Sequence, residues 1–181
     1  MPDDTPLPPI WLLGSSEYSS ELAAQVGMGF AFAHHFATYD AIAAMTSYRD
    51  HFKKTGWRET PYAILAVAVV AAETDDEAER LAASMDLNRL WRDRGQYRPL
   101  PSVEEAQAYP YTDADRAVIA RNRLRLFVGS PSTVVHKLEP MIAASRADEL
   151  MVITAVYDHE ARKKSYSLLA DAFGLVKKAA A

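Results

Sequence analysis

The stretch richest in groups able to do chemistry is Gly14–Ser20, GSSEYSS. The apolar run Ile10–Leu13 before it reads as a short buried strand. Glu21–Val26 behind it reads as a short helix stopped by Gly27. A turn from the C-terminal end of a strand into a helix start offers free N–H groups and the positive end of a dipole, which suits a phosphate. Gly14 lets the backbone come close, and Ser15, Ser16, Ser19 and Ser20 add hydroxyl donors. The alternative is a serine-rich turn that only caps a helix. Glu17 opposes an anion there unless its carboxylate points away.

His34 and His35 close the segment Gly29–Phe36, GFAFAHHF, read as a second strand. On a strand, one of them faces the sheet's mouth and the other the helix layer, which disfavours a shared metal and leaves one as a proton shuttle. Tyr157 and Asp158 follow a later strand in the same way, with Asp158 also placed to cap a helix. His51, His136 and His159 read as helix-surface residues, Glu73–Glu77 as an acidic helix start, and Arg89, Arg92, Arg94 and Arg98 as a solvated helix face. There is no G-x-S-x-G elbow, H-E-x-x-H or P-loop, so no catalytic residue and no metal ligand is assigned.

Positioning these groups requires alternating strands and helices. After the first two strands, Asp40–Lys54 reads as an amphipathic helix with Ile42, Met45, Tyr48 and Phe52 on one face. Ala63–Ala72 is apolar without alternation, as in a parallel strand covered on both faces. Thr74 and Glu77 form a capping-box pattern ahead of a helix reaching toward Arg92. Gly95–Tyr111, with three prolines, reads as a long loop and Asp113–Leu126 as a helix. Ser130 and Pro131 open a helix over Thr133–Ala144, Leu150–Val156 is the fourth strand, and a last helix runs to about Phe173. Four strand–helix units with extra helix after the third strand mean an α/β fold with a parallel sheet.

Composition narrows the classes. At 181 residues, 49% hydrophobic and 24% charged, the chain reads as one globular domain over 10–175, with an extended leader at 1–9 and a flexible tail at 176–181. A net charge of -4 gives no general attraction to nucleic acid or anionic membrane. With no cysteine, thiolate and disulfide chemistry are excluded. No apolar run reaches the roughly 18 residues of a span. The acidic, proline-rich MPDDTPLPPIW is no signal peptide, and a cytoplasmic location is expected.

Two architectures fit four such units, a small doubly wound sheet or half of a (β/α)8 barrel. The segment Pro8–Phe36, PPIWLLGSSEYSSELAAQVGMGFAFAHHF, resembles the fifth strand, fifth helix and sixth strand of the bacterial luciferase-like monooxygenases. YRDHF at Tyr48–Phe52, AAETDDEAERLA at Ala71–Ala82, VGSPSTVVHKL at Val128–Leu138 and ADELMVIT at Ala147–Thr154 agree in order. The resemblance implies the C-terminal half of a TIM-like barrel. It implies a flavin-dependent oxidoreductase using reduced FMN, or in some branches a deazaflavin, with oxygen on a small organic substrate. It maps the FMN phosphate to Gly14, Ser15, Ser16 and Ser19 and lets His35 meet the flavin ring. A complete barrel needs about 250 residues, so the alternative is a non-catalytic half-barrel that binds flavin phosphate weakly or pairs with another chain. Either way, an open half-barrel should associate, as a homo-oligomer or with a complementary half.

Overall fold

The computed structural model describes residues 8–175. Residues 1–7 of the expected leader and the tail 176–181 lie outside the described residues. The fold is α/β. The elements run β1 (Trp11–Gly14), α1 (Glu17–Val26), β2 (Gly29–Ala33), α2 (Ala41–Asp50), β3 (Ala63–Ala71), α3 (Asp75–Asp93), α4 (Val103–Ala108), α5 (Asp113–Arg123), β4 (Leu126–Gly129), α6 (Pro131–Ser145), β5 (Glu149–Ile153) and α7 (His159–Ala172). The strands β1-β2-β3-β4 pair in that order, all parallel, and β5 pairs with β3.

Three features correct the sequence-based expectation. There are five strands rather than four, because Leu126–Gly129 pairs with the second half of β3 (Ala68 opposite Leu126, Ala71 opposite Gly129). The extra helix after β3 is two elements, α4 and α5, and α4 forms inside the segment read as a loop. It is closed by a capping box in which Ser102 Oγ accepts from Glu105 N and Glu105 Oε2 accepts from Ser102 N. Finally, β2 stops at Ala33 and α1 begins four residues earlier than expected, at Glu17.

The chain forms two compact units. The first holds residues up to Ala66 together with Met141–Met151. Here β1 lies beside β2 (Leu12 opposite Phe30, Gly14 opposite Phe32), and β2 beside the start of β3 (Ala33 opposite Ala66). Side chains alternate across a strand, so Leu12, Gly14, Phe30 and Phe32 share one face. That is the helix face, because Phe30 packs 5.3 Å from the ring of Tyr48 on α2. Tyr48 is fully buried. Its hydroxyl donates to Met28 O at 2.8 Å and accepts from Tyr62 N at 3.1 Å, joining α2 to the starts of β2 and β3. Burial raises this phenol's pKa. Asp148 adds a second tie: Oδ2 accepts from Ala63 N at 2.7 Å and pairs with Arg49.

The second unit holds Val67–Pro140 and residues from Val152 onward. Its core joins Val70 of β3, Leu81 and Met85 of α3, Val103 of α4 and Val128 of β4. Behind α3 lies a polar cluster. Arg123 bridges Asp86 (2.7 Å) and Glu79 (2.9 Å), Arg89 donates to Asn122 O (3.1 Å), and Asn122 Nδ2 donates to Asp93 (2.7 Å). Burial pushes the Asp86 carboxyl up, and burial with Arg125 nearby brings the Arg89 guanidinium down to about 10. The four arginines read as one solvated face therefore separate. Arg89 enters this cluster, Arg92 is exposed, Arg94 pairs with Asp115, and Arg98 lies 4.9 Å over the ring of Trp91.

Only half of the expected capping box at Thr74 forms. Thr74 Oγ1 accepts from Glu77 N, but the Glu77 carboxylate turns to Arg80 at 2.7 Å. Asp75 reaches across to the start of α6 instead, accepting from Ser130 N at 2.6 Å and Thr133 Oγ1 at 3.1 Å. These bonds, the backbone one first, hold its carboxyl below the ordinary aspartate range. A folded-state value below the unfolded one contributes stability above about pH 4, lost as pH falls through the folded value. Denaturation profiles should thus show Asp75→Asn less sensitive than the parent to pH between about 4 and 2. Parallel profiles would remove Asp75 from the acid response.

Candidate functional site

In the first unit the strands β1 and β2 end side by side. Gly14 lies opposite Phe32, so the turn after β1 starts level with Ala33, and neighbouring strands are about 4.8 Å apart. The Ser15–Ser16 turn and the His34–Phe36 turn therefore occupy one edge, at the C-terminal ends of parallel strands. That is the edge at which α/β sheets place ligands.

The first turn opens α1. Ser16 is the N-cap: its Oγ accepts from Ser19 N (3.4 Å), and Ser19 Oγ accepts from Ser16 N (3.2 Å) and donates to Ser16 O (2.7 Å). Ser20 is buried and donates to Glu17 O at 2.6 Å. Three of the four hydroxyls thus satisfy the helix itself. Ser15 lies just outside the cap and makes no side-chain hydrogen bond among the described residues. The N–H groups of Glu17 and Tyr18, in the first turn, have no acceptor within the helix. The space where a Cβ would stand at Gly14 is filled by Ser19, whose Cβ and Oγ would lie 2.1 Å away. A glycine is needed here for the first turn of α1 to settle against β1.

The second turn differs from its expected form. The chain leaves β2 after Ala33, with Phe36 N donating to Ala33 O (3.4 Å) and Ala37 N to His34 O (3.2 Å). Strand alternation therefore does not set the directions of His34 and His35. His35 Nδ1 lies 3.3 Å from Ala66 O, and its ring meets Phe36 edge-on at 4.6 Å. A carbonyl only accepts, so this bond places the proton on Nδ1.

The other candidates cap helices or lie exposed on the surface. Asp158 caps α7, accepting from Ala161 N at 2.7 Å, and Tyr157 is exposed. His51 caps the end of α2, and His136 and His159 are exposed on helices. Among the described residues no group of three or more His, Asp or Glu side chains could hold a metal ion, and no helix is long and apolar enough to cross a membrane. In the second unit a groove of about 540 Å³ runs between α3 and α7 beside the Glu73–Lys164 ion pair. Sequence reasoning missed the Thr154 hydroxyl, buried just past β5 with no hydrogen-bond partner among the described residues.

The luciferase-like monooxygenase family model matches residues 1–149. The chain belongs to that family. Its relatives include the Bacillus subtilis protein YceB, 39% identical over 92% of this chain and 50% of that protein. A luciferase-like monooxygenase of Escherichia coli K12 is 36% identical over 90% of this chain and 49% of that protein. The crystal structure of apo-MsnO8 superimposes with a TM-score of 0.89 at 36% identity, covering 98% of this chain and 54% of that one. The oxygenating constituent of 3,6-diketocamphane monooxygenase from Pseudomonas putida, a type II Baeyer–Villiger enzyme in complex with FMN, gives 0.56 at 26% identity over 90% and 47%. This luciferase-like chain spans about half the length of the relatives it matches.

Proposed function

We propose that this chain serves a flavin-dependent oxidoreductase that uses reduced FMN and oxygen to oxidise a small organic substrate. The observation that carries this is the edge formed by β1 and β2, where a serine-rich helix start lies beside a histidine turn. The FMN-bound relative supports FMN over a deazaflavin. In this reading the phosphate meets Ser15 Oγ and the N–H groups of Glu17 and Tyr18. Gly14, Ser16 and Ser19 hold the turn in shape, and His35, fixed by Ala66 O, meets the flavin ring. The bound flavin supplies the redox chemistry, and the protein orients it and excludes water.

A turn that only caps the helix is favoured by one observation: Ser16 and Ser19 are already hydrogen-bonded within the cap. The variant Ser15→Ala tests whether the turn holds the phosphate, because Ser15 is not part of the cap. A hydrogen bond to a charged group is worth about 1.5–3 kcal/mol, so FMN affinity should fall by at least about tenfold. Riboflavin, which lacks the phosphate, should bind as before, and denaturation should be unchanged. Equal losses for both ligands, or none, would remove the turn from the site.

A further inference from the structure

In the first unit, at the ends of the strands opposite to the Ser15 turn, stands an arginine held by aromatic rings alone. Arg58 lies in the turn between α2 and β3. Its guanidinium carbon is 5.2 Å from the centroid of the Trp11 ring and 5.0 Å from that of Tyr62. The two rings meet edge-on at 5.3 Å. Trp11 begins β1 and Tyr62 directly precedes β3, so the cluster marks the N-terminal ends of these strands. Each part of it is fixed. Trp11 rests on Gly29, where a Cβ would lie 2.5 Å from the indole. Tyr62 donates from its hydroxyl to Glu149 at 3.4 Å. Thr55 Oγ1 pins the turn itself, donating to Val26 O and accepting from Trp57 N, both at 3.2 Å. Thr55 N donates to Arg58 O at 3.3 Å.

A guanidinium laid over aromatic rings keeps its five N–H donors at its edge, in a flat fork that matches a carboxylate. Among the described residues the fork of Arg58 meets no carboxylate and no hydrogen-bond acceptor. Arg58 lines a cavity of about 530 Å³, a size usual for small-molecule sites. Trp57, 47% exposed, Ile10, 40% exposed, and Pro9 give the cavity apolar walls, and Thr60 adds a hydroxyl. Glu59, also in the lining, is paired with Lys54, so those two charges cancel. One uncompensated positive charge remains beside apolar walls. We infer that this cavity binds a small monocarboxylate with an apolar body. The carboxylate lies in the fork of Arg58 and the body against Trp57. A phosphate dianion fits less well, because one guanidinium offsets half of its charge and Glu59 stands beside it. The site does not rest on the flavin reading.

The test uses the 181-residue chain with benzoate and its neutral analogue benzamide, titrated by calorimetry. The indole N–H resonance of Trp57 reports where they bind. Benzoate should bind saturably and shift that resonance. Benzamide, which lacks the charge, should bind at least about tenfold more weakly. Arg58→Gln should weaken benzoate by a similar factor and leave benzamide nearly unchanged. Trp57→Ser, which spares Arg58, should weaken both, and it decides the matter even where Arg58→Gln fails to fold. FMN in excess should not displace benzoate, because the Ser15 turn lies at the other ends of the strands. Equal affinity for the two probes, either variant binding benzoate as the parent does, displacement by FMN, or no saturation below about 10 mM would overturn the inference.

Discussion

Replacing Arg123 with methionine is expected to lower the unfolding free energy by about 3–5 kcal/mol, the usual cost of removing one partner from a buried ion pair. Asp86 is 8% exposed and its Oδ1 has no hydrogen-bond partner. Arg123 reaches Oδ2 at 2.7 Å, so the substitution leaves a buried carboxylate without its counter-charge. The carboxyl answers by taking up a proton. Its folded-state pKa is already raised by burial and would rise further. A raised folded value means stability present at low pH and lost as pH climbs through it, so the variant's deficit should shrink in acid. Urea denaturation at neutral pH and near pH 4 measures both. The double variant Asp86→Leu with Arg123→Met should recover most of the loss, because both charges go together. A loss of under about 1 kcal/mol at neutral pH would mean the cluster is solvated and carries little.

Gly14→Ala is expected to cost about 3 kcal/mol, the upper part of the range for overpacking. The added methyl would stand 2.1 Å from both Cβ and Oγ of Ser19, and Ser19 Cα follows at 3.6 Å. Ser19 cannot swing away freely, because its hydroxyl is bonded to Ser16 N and Ser16 O. The first turn of α1 must therefore lift from β1. Ser19→Gly removes the obstructing atoms and should restore most of the stability lost by Gly14→Ala, a non-additivity that marks direct contact. Additive losses in the double variant would show that the strain is relieved elsewhere.

The strand–helix alternation was legible because apolar runs and helix caps agree locally. β3 is nine apolar residues with no alternation, and Thr74, Asp158 and Ser130 all stand at helix starts. β4 was hidden because Leu126–Gly129 is four residues between two helices, and Leu126 also fits the end of α5's pattern. α4 was hidden by three nearby prolines, although Ser102 and Glu105 carry the capping box that could have revealed it. At the candidate site, the residue types were legible and their division of labour was not. GFAFAHHF continues apolar alternation past Ala33, and nothing local says that the chain turns at His34. Which serines cap α1 depends on where it starts, and it starts at Glu17 because Ser16 and Ser19 reciprocate across one turn. The polar cluster around Asp86 joins residues far apart in sequence, so only packing brings it together.

The strand β3 has a consequence for how the protein is made. AILAVAVVA carries no charge, proline or glycine, and every residue of it is buried. Such a segment, left without neighbours, is the kind that stacks with its own copies. On the ribosome it emerges after β2 but well before β4 and β5, the other strands that pair with it, at a rate of about 5–20 residues per second. For those seconds β2 can cover only Ala63–Ala66, and the rest of its protection comes from its flanks. Arg58, Glu59 and Pro61 precede it, and Glu73, Asp75, Asp76 and Glu77 follow, placing like-charged carboxylates beside every nascent copy. The acidic run that opens α3 thus also keeps unfinished chains apart.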